Sequence, residues 1–262
     1  GGEVVVALFL VFALSRLTFA REGQGRPLAG LRDDPEIRIA LALVLLVPGF
    51  LFLRHFLGAY ELDGTQMSLV KGLGALWGSV FTVLSFLTTT GWESAAWSAS
   101  QDWSGLQTPG LILLGLSLIG GGVATTAGGA KLLRVYALYK HGMRELERLV
   151  HPHSVGGAGG DARHLRRRGA YMAWLFFMLM ALSVALVMTA FSFTGESFEQ
   201  ALVLTIAALT TNGPLAGLAE TTPFSYGDLT SGGKFVLVAA MILGRLETLA
   251  IVALFSPDLW RR

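Results

Sequence analysis

The chain has 262 residues, 53% of them hydrophobic and 15% charged, with a formal net charge of +2 at pH 7. Soluble domains carry about 25% charged residues, so this composition, with its apolar residues gathered in long blocks, points to a membrane protein. The near-neutral balance, with no basic stripe among exposed aromatics, argues against nucleic acid. The absence of cysteine excludes disulfides, thiolate metal sites and cysteine catalysis.

The chain begins at Gly1 without a methionine or a basic leader, and residues 4–20 already read as a membrane helix. The sequence is therefore expected to be the C-terminal part of a longer protein. Further apolar segments follow at 39–57, 73–87, 109–139, 170–193, 198–209 and 235–255. A spanning helix needs about 20 residues. Segments 73–87 and 198–209 fall short of that, as re-entrant pore helices do. Segment 109–139 is long but interrupted by glycines.

Charge orients these segments. Arg16, Arg21, Arg26, Arg32 and Arg38 lie between the first two. Arg134, Lys140, Arg144, Arg148, Arg163, Arg166, Arg167 and Arg168 lie between the fourth and fifth, and Arg261 and Arg262 end the chain. The opposite loops carry Glu61, Asp63, Glu93, Asp102, Glu196, Glu199, Glu220 and Asp228 against Lys71 and Lys234. The positive-inside rule assigns the arginine-rich set to the cytoplasm. Both short segments then enter from the outer face and return to it.

Each short segment closes on the same signature: Leu87-Thr88-Thr89-Thr90-Gly91 and Leu209-Thr210-Thr211-Asn212-Gly213, 122 positions apart. The pattern helix, short helix with Thr-Gly loop, helix thus occurs twice in one orientation. Non-helical backbone survives at membrane depth only inside protein or lining water. Glycine permits angles that aim successive carbonyls at one axis, threonine adds hydroxyl oxygens, and the C-terminal ends of the short helices direct partial negative charge inward. Such a cage replaces the hydration shell of a cation. It suits potassium without excluding sodium.

The fourth segment contains Gly120-Gly121-Gly122-Val123-Ala124-Thr125-Thr126-Ala127-Gly128-Gly129-Ala130-Lys131. Five glycines in ten residues disfavour a continuous helix. Two readings stand: a small-residue loop bent into the conduction path as a movable barrier, or a close-packed helix crossing. Arg245 lies inside the last apolar segment with Glu247 nearby. A charge there costs at least about 2.5–3.5 kcal/mol on insertion scales. It either hydrogen-bonds the broken segment near the pore or forms an internal Arg–Glu pair that fixes helix packing.

The remaining motifs carry less. His151-Pro152-His153 lacks a third metal ligand, and Gly156-Gly157-Ala158-Gly159-Gly160 reads as a linker. Gly128-Gly129-Ala130-Lys131 has the wrong spacing for a phosphate loop. No catalytic constellation supports an enzyme.

Four motifs in one order resemble the Trk/Ktr/HKT superfamily of potassium transporters, most closely its bacterial TrkH type. They are Thr88-Thr89-Thr90-Gly91; the break ending in Gly128-Gly129-Ala130-Lys131; Arg144-Glu145-Leu146-Glu147-Arg148-Leu149-Val150-His151-Pro152; and Gly244-Arg245-Leu246-Glu247 before Leu254-Phe255-Ser256-Pro257. The resemblance implies an all-α membrane fold of tandem helix–pore-loop–helix repeats, potassium-channel-like, with four repeats around one pore. This chain looks like the third and fourth. Residues 1–20 would be the last helix of the preceding repeat, 21–38 a cytoplasmic linker, 39–140 one pore repeat, 141–169 a basic cytoplasmic linker and 170–262 the other repeat. Gly91 and Gly213 would be filter glycines, with Thr88, Thr89, Thr90, Thr210, Thr211 and Asn212 supplying ion ligands. Gly120, Gly121, Gly122, Thr125, Thr126, Gly128, Gly129 and Lys131 would form an intramembrane gate held by Arg245.

The family also implies potassium as the transported ion, with no cofactor in this chain. Its members pair as dimers and bind a TrkA-like cytoplasmic nucleotide-binding subunit, in the bilayer of a bacterial inner membrane. Departures are Trp92-Glu93 after the third filter, Val123-Ala124-Thr125-Thr126-Ala127 in place of a Gly-Ser-Thr sequence, and Thr211-Asn212 in place of two asparagines. Potassium uptake is the leading expectation. A non-conducting membrane scaffold or incomplete fragment is the alternative, because two repeats supply half of a four-loop ring.

Overall fold

The computed structural model describes residues 1–14, 34–61, 69–97, 110–123, 125–151, 160–219 and 225–246. Arg16, Arg21, Arg26, Arg32, Asp63, Asp102, Ala124, Pro152, His153, residues 156–159, Glu220, Glu247, residues 254–257, Arg261 and Arg262 lie outside them. Among the described residues all regular structure is helical: α1 (Gly2–Val11, continued by a 3-10 turn at Phe12–Leu14), α2 (Pro35–Glu61), α3 (Leu69–Leu87), α4 (Gly110–Ile119), α5 (Leu132–Val150), α6 (Gly160–Phe193), α7 (Phe198–Leu209), α8 (Leu215–Ala219) and α9 (Ser231–Leu246).

Local chemistry explains several ends. α2 opens on Pro35, whose missing N–H would have no helical partner there, and Asp34 Oδ1 accepts from Glu36 N at 3.1 Å. Pro48 inside α2 removes one helical hydrogen bond. Ser197 and Gln200 close a reciprocal capping box on α7. The helices do not stop where the apolar runs stop. α5 continues past Tyr139 to Val150 as an amphipathic helix, and α6 begins at Gly160, because helix propensity and i,i+3 pairs such as Arg148–Glu145 (2.8 Å) carry the backbone beyond the apolar stretch.

The stretches Pro35–Leu53 and Gly169–Phe193 are long and apolar enough to cross a membrane, whereas Gly72–Leu87 and Phe198–Leu209 are shorter apolar helices. The short helices form the centre. α3 packs against α1, α2 and α4; α7 packs against α4, α6, α8 and α9. Residues 81–89, the second half of α3 and the turn after it, and Val203 through Thr210, from α7 into its own turn, are all buried. The interior holds hydroxyls and an amide as well as apolar groups: Thr82, Ser85, Thr88, Ser117, Thr205, Thr210 and Asn212. The outer helices instead expose Leu41, Leu45, Leu46 and Phe50 on α2, Leu182 and Leu186 on α6, and Phe235 and Val238 on α9. Apolar outside and partly polar inside is the pattern that hydrocarbon solvent selects.

Lipid gives helices no hydrophobic reason to associate, so close approach must supply the cohesion. Small residues stand where it does. A Cβ added at Gly78 of α3 would lie 3.0 Å from Ala96, and one at Gly244 of α9 would overlap the backbone of Leu209 at the end of α7.

Candidate functional site

The two Thr-Gly loops, Thr88–Gly91 (the third loop, in the repeat order that the resemblance implies) and Thr210–Gly213 (the fourth), fold alike. Thr88 N donates to Leu84 O (3.0 Å), Thr89 N to Phe86 O (3.1 Å) and Thr90 N to Ser85 O (2.9 Å). At the constant sequence offset Thr210 N donates to Ile206 O (2.9 Å), Thr211 N to Ala208 O (3.1 Å) and Asn212 N to Ala207 O (2.9 Å). Thr88 and Thr210 each return their hydroxyl to the carbonyl four residues back. Thr89 and Thr211 both adopt left-handed backbone, at φ 54° and 56°. A non-glycine residue in that region is uncommon and must be held by its surroundings, so two at equivalent positions mark one loop design used twice.

The loops meet each other. A Cβ added at Gly91 would strike Asn212 Oδ1 and come within 2.9 Å of the Pro214 ring. Gly91 also has φ +77°, so only glycine sits there without strain. Asn212 is fully buried and donates from Nδ2 to Ser117 Oγ at 2.8 Å, while its Oδ1 has no hydrogen-bond partner among the described residues. Ser117, on α4, in turn lies 3.4 Å from Phe86 O, linking the fourth loop to the end of α3. On the other side of the fourth loop, Tyr226 donates its hydroxyl to Gly213 O at 2.5 Å. Burial raises the Tyr226 phenol above its ordinary pKa. Partial desolvation also raises the carboxyl of Glu93, two residues past Gly91, although its side chain is largely exposed.

The glycine-rich segment between α4 and α5 is a non-helical break, not a helix crossing. Its ends are pinned by Ala130 N to Leu118 O and Lys131 N to Ile119 O, both 2.8 Å, and by Leu132 N to Gly121 O at 3.0 Å. Glycine is required because backbone crosses backbone. A Cβ at Gly120 (φ +75°) would overlap Gly128 O, and one at Gly129 (φ +80°) would lie 2.5 Å from Ser117 O and 2.8 Å from Gly120 Cα. Gly121 and Gly122 lie against the end of α1, where Ala13 O accepts from Gly122 N at 3.1 Å.

Gly128 touches both Thr-Gly loops. Its N–H donates to Thr89 Oγ1 at 2.7 Å, and a Cβ there would overlap the Thr210 carbonyl. Thr125 Oγ1 donates to Gly122 O at 2.7 Å. Two cations grip the tip of the break: Lys131 Nζ donates to Thr125 O at 3.2 Å and Arg245 Nη1 to Thr126 O at 3.3 Å. Beside them is a cavity of about 180 Å³, lined by Gly128, Lys131, Met180, Thr211, Gly244 and Arg245 among others.

The structure therefore brings together Thr88–Gly91, Thr210–Gly213, the break and Arg245 as the sequence placed them in order. Glu36, Ser117, Tyr226 and Ala13 were not singled out by the sequence. Glu36 is fully buried at the start of α2 and its Oε1 accepts from Val123 N of the break at 2.9 Å. A charged residue next to the arginine-rich linker gave no sign of that burial. His151 ends α5, and no group of three metal-ligating side chains occurs among the described residues.

Comparison with known proteins gives the context. Residues 40–262 match the TrkH family, described as "Cation transport protein". The Trk system potassium uptake protein TrkH of Halomonas elongata is 32% identical over 99% of this chain and 51% of its own length. TrkH of Vibrio parahaemolyticus is 34% identical over 87% of this chain and 44% of its own. The crystal structure of the potassium transporter TrkH from Vibrio parahaemolyticus superposes with a TM-score of 0.80 at 29% identity, over 99% of this chain and 53% of that one. The chain thus spans about half the length of the relatives it matches, which are transporters rather than enzymes. The chain belongs to the TrkH family of cation transport proteins.

Proposed function

We propose that this chain forms half of a potassium uptake pore, in which the peptide oxygens of Thr88–Gly91 and Thr210–Gly213 dehydrate and hold the ion. The observation that carries this reading is the duplicated loop: the same hydrogen bonds, the same left-handed threonine and a direct meeting of Gly91 with Asn212. Both loops follow the C-terminal ends of short buried helices, where unsatisfied carbonyls favour a cation. No acidic side chain is needed, because the carbonyl field substitutes for water. The names of the relatives, potassium uptake proteins, support the choice of ion.

In the same reading the break is the barrier. Gly128 sits against both loops, so it lies where an ion leaving the filter must pass. Arg245 holds the tip through Thr126 O and adds positive charge that repels a cation, and Lys131 does the same through Thr125 O. Displacing this loop opens the path.

The other two pore loops come from further repeats of the same protein. The assembly sits in the bilayer of a bacterial inner membrane, pairs as a homodimer, and presents the basic face of α5 to a cytoplasmic nucleotide-binding regulatory subunit.

The test is complementation. The intact protein containing this chain, expressed in a bacterium lacking potassium uptake, restores growth at low potassium. Membrane expression without restored growth would count against the reading.

A further inference from the structure

The limb that leaves the third loop, residues 92–97, returns along the middle of α3. Ser94 N donates to Thr82 Oγ1 at 3.3 Å, and Ala96 packs on Gly78. At this crossing a carboxylate from a third element accepts three hydrogen bonds. Glu3, on α1, takes Trp77 Nε1 of α3 on Oε2 at 2.8 Å. Its Oε1 takes Ser94 Oγ at 3.0 Å and Ala95 N at 3.0 Å. One oxygen therefore holds the pore helix and the other holds the limb. The fourth loop has a different support, the Tyr226 hydroxyl on Gly213 O.

We infer that Glu3 is a positioning residue for the third filter, fixing the depth of Gly91 relative to α3 and so contributing to the choice between potassium and sodium. The inference rests on the filter reading above. Discrimination between two alkali ions depends on where the carbonyls stand, and the held limb begins three residues past Gly91. Hydrogen bonds to a carboxylate are stronger than neutral ones, and three of them at 2.8–3.0 Å on one side chain tie the limb to α3. α1 reaches the break as well, through Ala13 O to Gly122 N at 3.1 Å. One helix thus braces the third loop and the barrier from the same side.

The three bonds give a graded test in the intact transporter, reading the ratio of potassium to sodium flux per inserted protein. Glu3→Ala removes every bond and lowers the ratio several-fold. Glu3→Gln keeps one acceptor oxygen for Ser94 and Ala95 but turns an N–H donor toward Trp77, so it lowers the ratio less. Trp77→Phe deletes the same bond from the other side and matches Glu3→Gln. The double variant Glu3→Gln/Trp77→Phe, relieved of the donor–donor clash, is no worse than either alone. Should Glu3→Ala fail to insert, Glu3→Gln and Trp77→Phe decide. An unchanged ratio in inserted protein, even with lowered thermal stability, makes Glu3 an ordinary tie and overturns the inference. Full additivity in the double variant overturns it too. Gly91→Asp is the control for the underlying reading: if it transports normally, the filter assignment itself fails, whatever Glu3 does.

Discussion

The loop after α3 and the loop after α7 make the same hydrogen bonds at a constant offset, yet their glycines are not equivalent. Gly91 is left-handed, buried and pressed against Asn212 and Pro214. Gly213 has no positive φ, and the nearest atom to an added Cβ is the Tyr226 hydroxyl, 4.0 Å away. A repeated motif can therefore preserve a backbone while reassigning which residue is indispensable. In the third loop the constraint is steric. In the fourth it is a hydrogen bond to the glycine carbonyl.

The largest expected effect sharpens this asymmetry. Gly91→Asp abolishes potassium uptake without loss of membrane insertion, and Gly91→Ala comes close. The left-handed backbone alone costs a side chain about 1–2 kcal/mol, and the Asn212 and Pro214 contacts add to it. Gly213→Ala leaves most uptake in place, losing less than about tenfold, which corresponds to about 1.4 kcal/mol. Gly213→Asp lowers uptake much further by adding a charge beside the filter. Equal loss of uptake in Gly91→Ala and Gly213→Ala would break the comparison.

Next comes the glycine-rich break, the proposed barrier. Arg245→Ala raises potassium flux several-fold, measured per inserted protein. A hydrogen bond to a charged group is worth about 1.5–3 kcal/mol when well desolvated, and the exposure of Arg245 and its 3.3 Å distance put this one at the lower end. Lys131 remains on Thr125 O, so the barrier is loosened rather than removed. Flux that falls or stays level would assign Arg245 to packing.

How much of this was legible in the sequence follows from the same physics. Segment lengths, the paired Thr-Gly signatures and the clustered glycines are local, so hydropathy and composition expose them. Phe198–Leu209 reads as a short apolar helix from hydropathy and from the Thr-Gly signature that closes it, and the Ser197–Gln200 capping box that opens it is a local feature seen in the structure. The break reads only as an alternative until backbone contacts are seen, because small residues serve a loop and a tight helix crossing equally. Glu3, Glu36 and Ser117 leave no trace, since the side-chain partners described above lie 74 to 92 positions away for Glu3, 87 for Glu36, and 31 and 95 for Ser117. A carboxylate near a helix start looks like dipole compensation or a solvated end. Its capture of an N–H from another segment is a property of the assembled fold.

Tyr226→Phe is expected to act more mildly on the fourth loop. It releases Gly213 O from a 2.5 Å hydrogen bond while preserving the ring. A net loss of about 1 kcal/mol would change ion affinity by about fivefold at most. The apparent affinity for potassium in uptake assays reads it. An effect as large as that of Gly91→Ala would mean that the hydroxyl, not the shared backbone, holds the fourth loop together.

The smallest effect belongs to Glu93, which stands two residues after Gly91 and has no counterpart at the same offset in the fourth loop, where Leu215 follows Pro214. Partial desolvation of this largely exposed side chain raises its pKa above the ordinary carboxylate value, so the folded protein holds this proton slightly more tightly than the unfolded chain does. The group's favourable contribution is then fully present below the unfolded pKa and is lost as pH rises through the folded pKa. Glu93→Gln removes that dependence, flattening the thermal stability profile across this acidic window and leaving stability at neutral pH equal or slightly higher. Uptake responds in the opposite sense. On the proposed reading the ionised carboxylate just past the third loop attracts cations, so wild-type uptake declines as acid neutralises it, and Glu93→Gln begins at the lower rate and shows less of the decline. A variant whose uptake and melting temperature keep the parent's full pH profile would show that Glu93 is not the group that distinguishes the third loop's entrance.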